Sequence, residues 1–260
     1  MELKDRVIVV TGAARGIGRA LATRFASADP RAVVIADIDG LRLEEVARQI
    51  GATAIQCDVS REPDIVRLIT QIEATHGRID VFCSNAGIAV AGGPEAPNDQ
   101  WQRIWDVNVM SHVLVARHVL PGMLARKGGY LIGTVSAAGL LNHFFAAPYG
   151  VTKAAALSFF EWLSIVHGEE GIRVSCLCPQ GVKTDMLEAE HAQLGVNFLT
   201  EGALEPEAVA EAVVKGIAEE RFLILPHPEV AVYFRRKADD YDRWLRGMRR
   251  LRNNLLTASR

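Results

Sequence analysis

From residue 6 to residue 10 the chain reads Arg-Val-Ile-Val-Val, an apolar run with no polar alternation. A strand with one wet face alternates apolar and polar side chains, so an unbroken run predicts a strand buried on both faces of a parallel sheet. Similar runs fall at 32–36, 53–57, 79–84, 130–135, 173–178 and 222–225. Between and after them, residues 19–28, 41–50, 63–76, 99–124, 148–167, 206–219 and 232–251 read as helices. Strands alternating with helices at this spacing predict an α/β fold, a doubly wound parallel sheet with helices on both faces and right-handed crossovers. No linker or low-complexity stretch interrupts the pattern. At 260 residues the chain is expected to form one domain over 1–260 with a large core.

The first strand leads into Thr11-Gly12-Ala13-Ala14-Arg15-Gly16-Ile17-Gly18 and then a helix-prone stretch. Glycines there permit a tight strand-to-helix turn and the close approach of a pyrophosphate to the helix N-terminus. The spacing is Gly-x-x-x-Gly-x-Gly rather than the common dinucleotide Gly-x-Gly-x-x-Gly. Its position after a first strand is where a Rossmann-type sheet needs such a loop. The second strand ends at Asp37, about 20 residues beyond the glycines, where a carboxylate can accept from the adenosine ribose hydroxyls. The same carboxylate repels a 2′-phosphate, and Ile38 and Asp39 follow it with no basic residue. Arg15 is the one loop feature that attracts a phosphate. The balance predicts NAD over NADP.

Ligands of such sheets bind outside the carboxyl ends of the strands, and Asp37, Asp58, Asn85 and Ser136 all fall at predicted strand ends. In Tyr149-Gly-Val-Thr-Lys153 a phenol and an ammonium stand four residues apart, on one face of a predicted helix. A phenol titrates near pH ~10 in water. A cation held beside it favours the phenolate, so the pair reads as a proton-exchanging group near neutrality.

A formal charge of −2 gives no global reason to expect a nucleic-acid partner. Cys57, Cys83, Cys176 and Cys178 lie in apolar, strand-like segments without a Cys-x-x-Cys pair or a histidine cluster. They read as core thiols of a reducing compartment, and no metal site is expected. Neither a cationic leader nor an apolar stretch of spanning length is present, which predicts a soluble, cytoplasmic protein without membrane contacts.

Together the glycine loop, Asp58-Val59, Ser84-Asn85-Ala86-Gly87, Asn108, Ser136 and Tyr149-x-x-x-Lys153 resemble the short-chain dehydrogenase/reductase family, from about Val7 to Thr184. The resemblance implies a hydride-transferring oxidoreductase interconverting an alcohol and its ketone. By it, Gly12, Arg15, Gly16, Ile17, Gly18, Asp37 and Ile38 belong to the cofactor site. Asp58 and Val59 hold the adenine, and Asn85, Ala86 and Gly87 line the cofactor and steady the central strand. Asn108 positions the lysine, Ser136 bonds the substrate oxygen, and Tyr149 exchanges its proton. Lys153 holds the nicotinamide ribose and lowers the tyrosine pKa. Two departures stand out: Ser84 replaces the usual first asparagine, and Gln180 intervenes in Pro179-Gln180-Gly181-Val182-Lys183-Thr184. Val182 and Thr184 keep register and are expected to hold the nicotinamide carboxamide.

Leu140, Leu141, His143, Phe144 and Phe145, with Met186, Leu187, Phe198 and Leu199, are candidates for an apolar substrate wall, suiting a hydrophobic secondary alcohol or ketone. Gln180 either reaches the substrate or points to solvent. Residues 185–205 form a candidate substrate loop closing over the site. From Arg235 to Arg260 nine basic and three acidic residues carry +6, whereas the remaining twenty basic and twenty-eight acidic residues carry −8. With Trp244, Leu245, Met248, Leu251 and Leu255 near helical spacing, residues 233–260 read as a basic amphipathic extension. It is expected to dock on an acidic surface, its own or that of a neighbouring subunit. The family resemblance implies a homo-oligomer, a dimer or tetramer, assembled through long helices around Trp101 and Phe159. Two other readings remain open: an NADPH-dependent carbonyl or 3-oxoacyl reductase, and a non-catalytic NAD sensor or scaffold.

Overall fold

The computed structural model describes residues 1–194 and 199–258. Seven strands, β1 (Val7–Thr11), β2 (Ala32–Asp37), β3 (Thr53–Gln56), β4 (Val81–Ser84), β5 (Gly129–Thr134), β6 (Ile172–Leu177) and β7 (Leu223–Ile224), form one sheet. All pairings are parallel and the order is β3-β2-β1-β4-β5-β6-β7, so the chain winds outward from β1 in both directions. The topological switch therefore falls between β1 and β4, where such sheets bind nucleotides.

Helices α1 (Gly16–Ala26), α2 (Gly40–Ile50), α3 (Glu62–His76), α4 (Asn98–Trp105), α5 (Ser111–Ala125), α6 (Ala137–Leu141) and α7 (Ala147–His167) precede β6. Helices α8 (Asp185–Leu194), α9 (Pro206–Ala218), α10 (Glu229–Asp239) and α11 (Tyr241–Ala258) follow it. The unbroken apolar run of β1 is explained by its two faces. Val7 and Val9 pack into one core with α3, α5 and α7, and Ile8 and Val10 into the other with α1, α2 and α9. All five β1 residues are buried.

Several boundaries differ from the sequence pattern for local reasons. Strand β4 starts at Val81 rather than 79; Asp80 just before it is buried, and its Oδ2 accepts the Val7 N–H at 2.9 Å. The single helix expected over 99–124 is interrupted by a wide π turn, Asp106–Met110. An inserted residue of this kind re-aims a side chain, and here it carries Asn108, which is fully buried. The stretch expected as one helix over 232–251 breaks at Asp240, whose extended backbone separates α10 from α11 and whose Oδ1 accepts the Arg243 N–H at 2.9 Å. That carboxylate is an N-cap, and it starts a new helix instead of continuing the old one. Helix α8 occupies the first half of the segment expected as a loop over 185–205; Phe198 lies outside the described residues.

Candidate active site

A cleft of about 1660 Å³ opens at the carboxyl ends of the strands. At its cofactor end the β1–α1 loop turns on Gly12 (φ +66°) and Gly16 (φ +52°), a region that glycine enters without steric cost. A Cβ on Gly18 would lie 2.0 Å from the Gly12 carbonyl oxygen, so only glycine lets α1 start this close to the strand. Helix α1 begins without a side-chain cap or an acidic residue in its first turn. Its first N–H groups are thereby left for an anion, and the donor set fits a dinucleotide pyrophosphate. Gly18→Ala is expected to lower dinucleotide affinity at least tenfold and to destabilise the fold by about 1–3 kcal/mol, checked by fluorescence titration and thermal melting.

Asp37 sits at the end of β2 and is nearly buried. Its Oδ2 accepts the Ala14 N–H and its Oδ1 the Asp39 N–H, both at 3.0 Å, so the carboxylate also ties the glycine loop to the second strand. Arg15 forms an ion pair with Asp185 at 3.2 Å, and Arg42 approaches the same carboxylate at 3.8 Å. The loop's one phosphate-attracting group thus already has a counter-ion, supplied from α8. Nothing in the sequence pattern connects residue 15 with residue 185; only the fold brings them together. Ile17, Ile38, Asp58 and Val59 line the same end of the cleft.

At the switch point Asn85 binds three elements. Its Nδ2 donates to the Thr11 and Gly12 carbonyls at 2.9 and 3.3 Å, and its Oδ1 accepts from Thr134 Oγ1 at 2.9 Å. Thr11 Oγ1 accepts the N–H groups of Asn85 and Ala86. The amide therefore joins the ends of β1, β4 and β5. Ser84, the departure from the family pattern, pairs instead with His112, Oγ to Nδ1 at 2.7 Å. Burial, with the nearby Lys153 charge, pushes the His112 imidazole down to about 3, so it is neutral. Its Nε2 has no hydrogen-bond partner among the described residues. Nothing in the sequence pattern selects His112, because a lone histidine within an apolar helix carries no signal of its own.

Asn108 faces the strand end from the π turn. Its Oδ1 accepts the Ile88 N–H and its Nδ2 donates to the Ile88 carbonyl, both at 2.9 Å. Gly87 stands between this amide and the lysine. A Cβ there would meet Asn108 Oδ1 and Lys153 Nζ, each at 3.3 Å. Lys153 is buried, and its Nζ donates to the Thr134 carbonyl at 2.9 Å and lies 5.6 Å from the centroid of the Tyr149 ring. Burial pushes the Lys153 ammonium down to about 8. Ser136 caps α6, its Oγ accepting the Ala138 N–H at 3.0 Å, and its hydroxyl donates to the Pro179 carbonyl over a long 3.5 Å, a weak bond that a substrate oxygen in the cleft can replace.

Gly12, Arg15, Gly16, Gly18, Asp37, Asn85, Ala86, Gly87, Ser136, Tyr149, Lys153, Gln180, Val182 and Thr184 all line this one cleft. His143 and Met186 line it too, with Leu141, Leu187 and Leu199. Phe144 does not; it packs on Phe145 with ring centroids 4.7 Å apart, and Leu140 is in the core. Gln180 donates its backbone N–H to His227 Nδ1 at 3.1 Å, which pins the segment after β6 to the one after β7. His227 is a second residue the sequence pattern gave no reason to select. Thr184 Oγ1 bonds the Val182 carbonyl at 3.1 Å and leads into α8. All four cysteines are buried and free, and burial pushes the Cys57 and Cys178 thiols up to about 12. Among the described residues no three His, Cys, Asp or Glu side chains cluster as metal ligands, and no helix is long and apolar enough to cross a membrane.

A doubly wound parallel sheet, a glycine cradle at its switch point and a buried lysine beside a tyrosine define the class: a nucleotide-binding oxidoreductase. The short chain dehydrogenase family model matches residues 6–195, and the chain belongs to this family. The meso-2,3-butanediol dehydrogenase of Serratia marcescens is 34% identical over 218 residues, covering 81% of this chain and 86% of that protein. The 1-deoxy-11-beta-hydroxypentalenate dehydrogenase of Streptomyces exfoliatus is 36% identical over 250 residues, covering 92% and 90%. A short chain dehydrogenase/reductase from Burkholderia phymatum, solved in complex with NAD, superposes with a TM-score of 0.85 at 28% identity, covering 93% of this chain and 96% of that one. The protein is an oxidoreductase acting on CH–OH groups with a nicotinamide cofactor.

Proposed function

We propose that the protein is an NAD-dependent dehydrogenase that interconverts a hydrophobic secondary alcohol and its ketone. The observation that carries this reading is the placement of Ser136, Tyr149 and Lys153 on one cleft beside the glycine cradle. The alcohol oxygen lies between the Ser136 and Tyr149 hydroxyls. Ser136, already an acceptor from Ala138, donates its own proton to that oxygen and orients it. Tyr149 takes the alcohol proton as a general base, and the Lys153 charge near its ring stabilises the phenolate that does so. Of the three Lys153 N–H bonds one is committed to Thr134, which leaves two for the ribose hydroxyls of the cofactor. Asn108, through Ile88 and Gly87, keeps the strand end from closing on the ammonium. Bound nicotinamide dinucleotide supplies the two-electron acceptor for the carbinol carbon.

The apolar wall of Leu141, Met186, Leu187 and Leu199 supports a hydrophobic substrate. The related proteins named above act on a butanediol and a hydroxypentalenate, and another relative is named for borneol. NAD is favoured over NADP because Asp37 occupies the ribose position and Asp185 engages Arg15. NADH is expected to bind at least tenfold tighter than NADPH in fluorescence titrations, and Asp37→Asn to narrow that gap. Exposed Trp162, Ile165 and Val166 on the outer face of α7 support a homo-oligomer built on the long helices. A cytoplasmic location fits the four free thiols. The decisive test is a panel of secondary alcohols offered with NAD, followed by NADH absorbance. Rate with none of them, at any pH from 7 to 10, rejects the reading in favour of a binding-only protein.

A further inference from the structure

The basic extension does not pack as a solvated helix facing away from the protein. Arg236 of α10 and Arg243, Trp244, Gly247, Arg250 and Leu251 of α11 line the same cleft as Ser136 and Tyr149. On α11 the cleft-facing positions form two neighbouring rows at helical spacing. One runs Arg243, Gly247, Arg250 and the other Trp244, Met248, Leu251, Leu255. An apolar stripe beside a basic one thus forms the outer wall of the substrate end. Arg103 of α4 lines that end from the body of the domain.

None of these guanidinium groups has an ion-pair partner among the described residues, unlike Arg15, Arg24 or Arg173. The opposing carboxylates on the wall are Asp185, already paired with Arg15, and Glu201, Asp239 and Asp240. Asp240 is occupied in capping α11. Asp239 and Asp240 sit at the α10–α11 corner, and Arg250 stands ten residues further along, about 15 Å at the helical rise. The far end of the wall is therefore basic.

Gly247 is a second, independent observation. A glycine inside an exposed helix costs about 1 kcal/mol relative to alanine. A Cβ there would meet only the Arg250 guanidinium, 4.0 Å away, so packing within the protein does not require the glycine. Its bare backbone widens the cleft where the arginine and apolar rows meet.

We propose that α11 forms the substrate subsite and that the substrate is an amphipathic acid. Its apolar body lies along Trp244, Met248 and Leu251, and its carboxylate is held by Arg243 and Arg250. The proposal rests on the dehydrogenase reading only in placing the alcohol end of that molecule between Ser136 and Tyr149. A membrane surface is the competing partner for a basic amphipathic helix. The cleft is favoured because both rows open into the cavity that holds the catalytic groups.

The test uses a matched pair of non-reacting probes, phenylbutyrate and phenylbutyramide, titrated into the full-length NADH-loaded protein. The readout is the emission of Trp244, identified by its loss in Trp244→Phe. Phenylbutyrate is expected to bind about tenfold tighter than the amide, a preference that shrinks with added salt. Arg243→Gln/Arg250→Gln is expected to erase the preference while leaving amide binding in place. Gly247→Leu is expected to weaken both probes. In the alcohol panel, hydroxy acids are expected to show higher kcat/KM than their methyl esters. Equal affinity for acid and amide overturns the proposal, and turnover of neutral alcohols in that case leaves the dehydrogenase reading standing. Discrimination without turnover of any alcohol supports the subsite and rejects the dehydrogenase reading. Equal affinity together with binding to phosphatidylserine vesicles that is lost in the double arginine variant assigns α11 to a membrane and overturns the proposal.

Discussion

Tyr149→Phe is expected to lower turnover of a reacting alcohol by about a hundredfold to ten-thousandfold while NADH binding changes little. The substitution removes one oxygen and keeps the ring, so the edge contact with His143, at 6.1 Å between centroids, and the packing of α7 survive. What is lost is the group proposed to accept the alcohol proton. Water in the vacated space is a poorer base with no fixed geometry, and Ser136 already has its acceptor side occupied by Ala138. Stopped-flow NADH formation and a separate NADH titration distinguish the two effects. Undiminished turnover would show that the proton leaves by another route and would remove Tyr149 from the mechanism.

Lys153→Met is expected to damage both activities at once, with turnover falling about a hundredfold or more and cofactor affinity falling too. In the proposed mechanism one ammonium both stabilises the phenolate and donates to the ribose, so a single loss is expected to be felt twice. The same variant has a distinctive stability signature. Burial holds the folded-state Lys153 down to about 8, below its unfolded value of 10.5. Below pH 8 both states carry the proton, and the folded state bears the full cost of a buried charge. Between about 8 and 10.5 the unfolded chain binds more protons than the folded one, so folding stability from this group rises with pH. Measured without cofactor, the stability of the wild type relative to Lys153→Met should therefore improve as pH climbs from about 8 toward 10. A flat difference across that window would mean that the ammonium is better solvated than its burial implies.

The strand and helix pattern was legible because each element obeys one strong local rule. The doubly buried strands show as unbroken apolar runs, and β1, β2 and β6 lie within a residue of their expected places. Elements whose bounds depend on an inserted residue or a single capping side chain lie elsewhere than the apolar pattern places them. The π turn around Asn108 splits the helix over 99–124, and Asp240 starts α11 afresh. Helices α6 and α8 were missed although Ser136 and Thr184 stand at their starts, since a single hydroxyl does not announce a short helix.

The candidate site divides in the same way. Ser136, Tyr149 and Lys153 were legible because their side chains carry chemistry at a recognisable spacing. His112 and His227 were not, because their partners, Ser84 and the Gln180 backbone, are chosen by packing. Phe144 was expected on the cleft wall, but the turn after α6 directs it onto Phe145.

By itself the sequence determined the sheet, its glycine loop and the order of reactive groups along the chain. These rest on hydrophobic period, backbone freedom and residue chemistry, which are local properties. Only the tertiary structure decided that Asp185 would engage Arg15, that Lys153 would lose its water, and that the basic tail would line the cleft. Those are matters of distance and dielectric between residues far apart in the chain, and they exist only once the chain has folded.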